Sequence, residues 1–346
     1  DHVANADKEI VDELTAGLIS PHILHTAPMG NDAYLSVSKI TDGSLLLGQT
    51  LIAAAEKIDG LPMPVGIVGS GGKSSIIDES TVAETGDLLL FAATGLHVQN
   101  RISNACGFTS EPMVDHPRVI IFGATSVGTD LAAHYLGNES SVTVVEPDLN
   151  IANDLVGSGL GNQRRLDVIH GEPSDIELLK DIGMSDHDIA ISTLDDDNGA
   201  IAIAMRAVDE GGDRTGLIVD DSTLVDTVRR IGLTRAVSRR EVSISAIMEH
   251  VHSYVEGRFQ IIRQAKEFVA MSVTLDTNHS IIGHPISKLE SKFKGGAKVV
   301  LLERNRDGMS PVTFTPDLEM MLEPNDRLII LLLRDSITTV ESKLRS

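Results

Sequence analysis

Between Arg118 and Val251, short apolar runs of strand length alternate with helical stretches, and this alternation narrows the fold more than any other feature of the chain. Arg118–Phe122, Ser141–Val145, Leu166–Ile169, Ile189–Ser192 and Thr215–Val219 read as strands. Thr129–Leu136, Asp175–Ile182 and Asn198–Asp209 read as helices between them. Short apolar strands that alternate with helices imply a parallel, doubly wound sheet. The expected class is α/β: a Rossmann-like doubly wound parallel sheet flanked by two small α+β modules.

The flanks carry a repeat. Before the sheet, Ala33–Thr41 alternates, a helix follows near Leu51–Ile58, and Val65–Val68 and Asp87–Ala92 read as strands. After it come the strand Phe268–Leu275, a helix near Ile286–Phe293, and the strands Lys298–Leu302 and Arg327–Leu332. Leu47-Gly48-Gln49-Thr50-Leu51 answers to Ile282-Gly283-His284-Pro285-Ile286 at an offset of 235. Glu84-Thr85-Gly86-Asp87 answers to Glu323-Pro324-Asn325-Asp326 at an offset of 239. Such periodicity marks a duplicated unit. The same offset carries a helix read over Val242–Val255 onto residues 7–20, where Lys8–Leu18 is again apolar-periodic. The N-terminus therefore reads as the last helix of an earlier Rossmann unit, and the chain as a piece of a longer protein lacking roughly 120 residues of that unit.

Chemistry concentrates after the first strand of the sheet. Gly123-Ala124-Thr125-Ser126-Val127-Gly128 leaves that strand and opens a helix, the position of the dinucleotide fingerprint G-x-G-x-x-G. Gly123 allows the tight turn, Gly128 allows close helix–strand packing, and the helix N-terminus offers free N–H groups to a phosphate. Glu146 ends the second strand, 18 residues beyond Gly128, where an acid can hold both ribose hydroxyls of an adenosine. Thr125 replaces the middle glycine. Its Cβ can crowd a dinucleotide, or its hydroxyl can bond a phosphate oxygen. His170–Asp175 and Ser192–Asn198 also follow strands, at the ends where open α/β sheets bind ligands. Asp195, Asp196, Asp197 and Asn198 suit helix capping and ligand contact equally well. Gly69–Lys73 is rich in glycine but stands between two strands of a small module and reads as a plain connection.

Composition excludes several classes. A net charge of −21 repels phosphate backbones, so no nucleic acid is expected as a partner. The single cysteine, Cys106, allows no intrachain disulfide. No apolar run approaches the roughly 20 residues that span a bilayer. None of the 12 histidines stands in a metal-ligand spacing such as H-E-x-x-H, and no metal site is expected. No Ser-His-Asp or Cys-His set falls at strand ends, so a binding module is expected rather than an enzyme.

Four stretches carry a family resemblance: V-I-I-F-G-A-T-S-V-G from Val119, V-V-E-P at the second strand, H-G-E-P-S-D from His170 and I-S-T-L-D-D-D-N from Ile191. Residues Arg118 to Val251 resemble the N-terminal Rossmann domain of the regulator-of-potassium-conductance (RCK, or KTN) family, and the flanks resemble its small C-terminal modules. The order small module, Rossmann domain, small module is similar to the regulatory subunits of Trk-type potassium uptake systems, which hold two such pairs in tandem. The resemblance divides the chain into residues 1–25 (the helix of the preceding unit), 26–96 (small module), 97–116 (linker), 117–258 (Rossmann domain) and 259–346 (second small module). It implies a cytoplasmic protein, peripheral at the inner face of the cell membrane, that forms a dimeric or tetrameric homo-oligomeric ring. Its partner would be the pore subunit of a membrane potassium transporter. Its ligand would be NAD(H) or ATP/ADP. In this correspondence Gly123, Ala124, Thr125, Ser126, Val127 and Gly128 line the phosphates and Glu146 holds the ribose. Gly171 and Glu172 stand near the adenosine, with Glu172 at the family's usual Asp, and Thr193 and Asp195 border the pocket. The gating ring of a fused cation channel and an NAD-dependent oxidoreductase are the alternative readings.

Overall fold

The structure is a computed structural model that describes residues 6–20, 22–30, 32–109, 114–212, 214–244, 258–262, 264–305 and 310–344. Along the chain, helix α1 (Ala6–Ile19) precedes a first module of β1 (Ile23–Gly30), β2 (Ala33–Lys39), α2 (Leu51–Ala55), β3 (Pro64–Val68), β4 (Ser74–Ile76), β5 (Leu88–Thr94) and α3 (Gln99–Ala105). The Rossmann domain follows as β6 (Arg118–Phe122), α4 (Ser126–Gly137), β7 (Ser141–Glu146), α5 (Leu149–Gly157), β8 (Leu166–His170), α6 (Ile176–Ile182), β9 (Ile189–Ser192), α7 (Asp197–Asp209), β10 (Arg214–Val219), α8 (Thr223–Arg230) and β11 (Arg235–Ser238). The second module holds β12 (Arg258–Ile261), β13 (Phe268–Thr274), α9 (Ile286–Ser291), β14 (Ala297–Arg304), β15 (Val312–Phe314), β16 (Arg327–Leu333) and α10 (Ile337–Leu344). The helix read over Val242–Val255 lies, from residue 245 on, outside the described residues. Two compact units result: Asp1–Pro21 with Pro112–Ala246, and His22–Glu111 with Ile247–Ser346.

In the first unit the six strands run in the order β11-β10-β9-β6-β7-β8, and every strand pair is parallel. The order reverses between β9 and β6, which makes the carboxyl ends of those strands the topological switch point where open α/β sheets take ligands. One face buries Ile120, Phe122 and Ala190 against Leu179, Ile203 and Ala207 of α6 and α7. The other buries Val119, Ile121 and Val144 against Val127, Leu131 and Tyr135 of α4. Helix α1 completes that second face. Its Ile10, Val11, Leu14 and Leu18 recur at helical spacing and join the same core beside Ile218 and Val237. Each such fully buried side chain contributes roughly 1.5–3 kcal/mol. A Cβ on Gly216 of β10 would stand 3.1 Å from Leu18 Cδ1, so the missing side chain lets α1 close on the sheet.

In the second unit the modules repeat one topology: β1-β2-β5-β3-β4 and β12-β13-β16-β14-β15. Their sheets share a core. Leu35, Val37 and Leu90 of the first meet Phe268, Leu301, Ile329 and Leu331 of the second. The other face of each sheet packs on its own helices. Burial on both faces explains the unbroken apolar run of β16: Leu328, Ile330 and Leu332 face the module's helices, and Ile329 and Leu331 face the other module. Gly66 of β3 lies under the Phe268 ring, where a Cβ would stand 3.0 Å from Cζ. Arg327 adds a polar tie by donating to Met29 O at 2.8 Å and pairing with Glu303 at 2.9 Å. The sequence reading places a linker at 97–116. The structure puts α3 there, with Ile102, Ala105 and Cys106 inside the first module's core. Burial pushes the Cys106 thiol up to about 11.

Candidate nucleotide site

The turn from β6 into α4 is built by three residues acting on the backbone. Gly123 has φ +100°, a conformation open to glycine, and its N–H donates to Val145 O at 2.9 Å. Gly128 lies so close to that turn that a Cβ would stand 2.2 Å from Gly123 O. Thr125 between them is the N-cap of α4: its hydroxyl accepts the Gly128 N–H at 3.1 Å. Its φ of −62° suits any residue, so the turn's shape does not require glycine here. The N–H groups of Ser126 and Val127, first in the helix, have no carbonyl four residues back within it, and the positive end of the helix dipole adds to their pull on an anion. Ser126 is exposed, whereas Val127 and Gly128 are buried, so the reachable part of the motif is Ala124, Thr125 and Ser126.

Glu146, at the end of β7, is only 5% exposed. One carboxylate oxygen accepts the Ala124 N–H at 2.6 Å, and the other accepts the Asp148 N–H at 2.9 Å. The acid thereby ties the glycine turn to the loop after β7. Each oxygen keeps a second lone pair for a hydroxyl donor. Gly171 N–H donates to Glu146 O at 3.1 Å, which sets the end of β8 beside the same acid. Glu172 is exposed, and its carboxylate accepts from the Ser174 hydroxyl at 3.4 Å. Thr193 differs from its expected place at the border of an open pocket. It is fully buried, and its hydroxyl donates to Gly123 O at 2.8 Å, so it braces the turn from below.

The acids after β9 divide their work. Asp196 caps α7 by accepting the Gly199 N–H at 2.7 Å. Asp197 accepts the N–H groups of Asp220 and Asp221 at 2.7 and 3.0 Å and so ties the loops after β9 and β10. Asp195 is exposed and pairs with Arg239 at 3.2 Å, while Arg239 Nε stands 3.7 Å from Asp220. Sequence reading missed Asp148 and Arg239. Only the short apolar stretch before Arg239-Arg240 hinted that a strand ended there.

A parallel sheet with reversed order at β6/β9, a glycine turn feeding a helix N-terminus and a buried acid at the end of the next strand define a Rossmann-type dinucleotide-fold domain. Residues 119–239 match the TrkA-N domain family model. The wider chain is similar to the "Trk system potassium uptake protein TrkA" of Haemophilus influenzae, 25% identical over 337 residues that cover 96% of this chain and 70% of the relative. It is also similar to the protein of that name from Azorhizobium caulinodans, 23% identical over 288 residues, 82% of this chain and 59% of the relative. The chain thus spans less than two thirds of the length of the latter. Among solved structures, the GsuK RCK domain superposes with a TM-score of 0.48 at 16% identity, covering 99% of this chain and 70% of that one. Among the described residues, no helix is long and apolar enough to cross a membrane.

Proposed function

We propose that this chain is part of a regulatory subunit of a potassium uptake system, and that it senses a nucleotide in the crevice at β6, β7 and β9. The observation that carries the reading is Glu146, a buried carboxylate that joins the glycine turn to the β7 loop, each of its oxygens accepting one N–H and keeping a second lone pair. A ribose diol donates to Glu146, and a phosphate meets the N–H groups that open α4. The ligand is NAD(H) or ATP/ADP. Gly123, Ala124, Thr125, Ser126, Val127 and Gly128 form the phosphate turn, Gly171 and Glu172 flank the adenosine, and Thr193 and Asp195 shape the second half. The chain works in the cytoplasm, within a homo-oligomeric ring held against the pore subunit of a membrane potassium transporter. Regulation follows if the nucleotide binds one arrangement of the ring more tightly than another. The chain is a binding protein and not an enzyme.

Calorimetry on the intact chain with NADH, NAD, ATP and ADP tests this. Binding of at least one, with Kd on the order of micromolar and weakened roughly tenfold or more in Glu146→Ala, is expected. No heat from any of the four would sink the proposal. Thr125→Gly separates the two roles open to Thr125: tighter binding marks its Cβ as an obstacle, weaker binding marks its hydroxyl as a phosphate ligand.

A further inference from the structure

The face of the Rossmann domain that holds α1 carries a selective lock. Arg235, at the start of β11, is 2% exposed, and its guanidinium pairs with Glu13 of α1 at 3.3 Å. One helical turn further on, Gly17 lies directly against the same guanidinium, where a Cβ would stand 2.4 Å from Nε. Arg214 then donates to Leu18 O and Ile19 O, both at 2.8 Å, and closes the helix C-terminus. The groove thus recognises more than an apolar stripe. It takes a carboxylate at one position, and four residues later it has no room for a side chain.

The chain contains a second segment with the same stripe. Ile247, Met248, Val251 and Val255 repeat the spacing of Ile10, Val11, Leu14 and Leu18 at an offset of 237, between the offsets of the two module motifs. Laid into the α1 groove in that register, His250 would stand at Glu13 and Tyr254 at Gly17. His250 would bring no carboxylate to a buried guanidinium, and the Tyr254 ring would have to occupy the space of the guanidinium itself. We infer that Arg235 sorts helices by kind: the groove takes a helix with the Glu13/Gly17 pattern and rejects the chain's own repeat segment, on this copy or on a second one. In the homo-oligomeric ring proposed above, on which this consequence rests, neighbouring copies then do not exchange the two segments.

Hydrogen exchange on the intact protein tests this through Glu13→His combined with Gly17→Tyr, which writes the rejected pattern into α1. Amides of residues 6–19 should exchange about a hundredfold faster, while those of β6 and β9 stay slow. Adding Arg235→Ala, which removes the buried charge and opens the space, should restore much of the protection. Unchanged exchange in α1 would overturn the proposal. So would an equal loss of protection in β6 and β9, or failure of Arg235→Ala to restore α1, because any of these would make the defect one of general packing and not of selection by Arg235.

Discussion

The two small modules share a topology and nearly a sequence motif, yet they hold the same turn by different means. In each, an acid closes the loop that enters the last long strand. Asp87 and Asp326 return equivalent backbone bonds: Ile40 N–H to Asp87 O at 2.8 Å, and Leu275 N–H to Asp326 O at 2.9 Å. Each also accepts, on its side chain, the N–H three residues back, from Glu84 and Glu323, both at 2.8 Å. They part at the other carboxylate oxygen. Asp87 accepts the Ser70 N–H at 2.8 Å, supplied by the glycine-rich Gly69–Lys73 connection. Asp326 takes the fork of Arg304: Nε donates to that other oxygen and Nη2 to the one that also accepts the Glu323 N–H, each at 2.8 Å, and the pair raises the guanidinium's pKa above its ordinary value. A backbone turn in one module is replaced by an ion pair in the other, so the duplicated frame constrains the acid and leaves its second partner free to change.

The helices after the last strand differ in the same spirit. Helix α10 seats Val340 and Leu344 on its sheet. Helix α3 buries Gln99 and Ser103 beside its apolar Ile102, and Gln99 donates to Thr26 at 3.1 Å. Among the described residues, the Ser103 hydroxyl has no hydrogen-bond partner. The first module thus tolerates buried polar groups that the second does not contain at its helix.

Three pairs of substitutions sharpen this contrast. The largest effect is expected at the acids. Asp326→Ala leaves Arg304 without its fork and should cost about 3 kcal/mol by denaturant unfolding, whereas Asp87→Ala, which frees backbone donors alone, should cost about 1–2 kcal/mol. Equal losses would show that the Arg304 pair adds nothing over a turn. Next comes the helix seat. Val340→Thr places a hydroxyl in an apolar site and should cost about 1–3 kcal/mol. Ser103→Ala removes a hydroxyl without a partner and should change stability by less than about 0.5 kcal/mol. A large loss at Ser103 would reveal a bond made in solution. The smallest effect is at the turn itself. Gly86 and Asn325 occupy equivalent left-handed positions, φ +96° and +66°. Gly86→Ala should lower stability by about 1 kcal/mol, and Asn325→Gly should leave it within a few tenths.

The sheet of the Rossmann domain was legible because its strands are apolar runs bounded by turns: Arg118–Phe122 and Ile189–Ser192 read directly from sequence as β6 and β9. Strand β1 was not, because Ile23–Gly30 mixes histidine, threonine and proline on an edge strand, where Pro28 is tolerated. Helix α3 was hidden by its polar stripe, since Gln99 and Ser103 read as surface residues although both are buried. At the site, Gly123, Gly128 and Glu146 were visible as a motif. The inward turn of Thr193 and the Asp195–Arg239 pair were not, because both depend on which strands end side by side, and sequence spacing does not carry that.

The shared core of the two modules has one more consequence. Leu35, Val37 and Leu90 meet Phe268, Ile329 and Leu331 within a single polypeptide, so this pairing is unimolecular. Its effective concentration is set by the chain between the modules and not by how much protein a cell makes. Dilution cannot separate the halves, and neither surface has to match a copy of itself. That freedom from self-complementarity is what lets one half keep a backbone turn where the other keeps an ion pair.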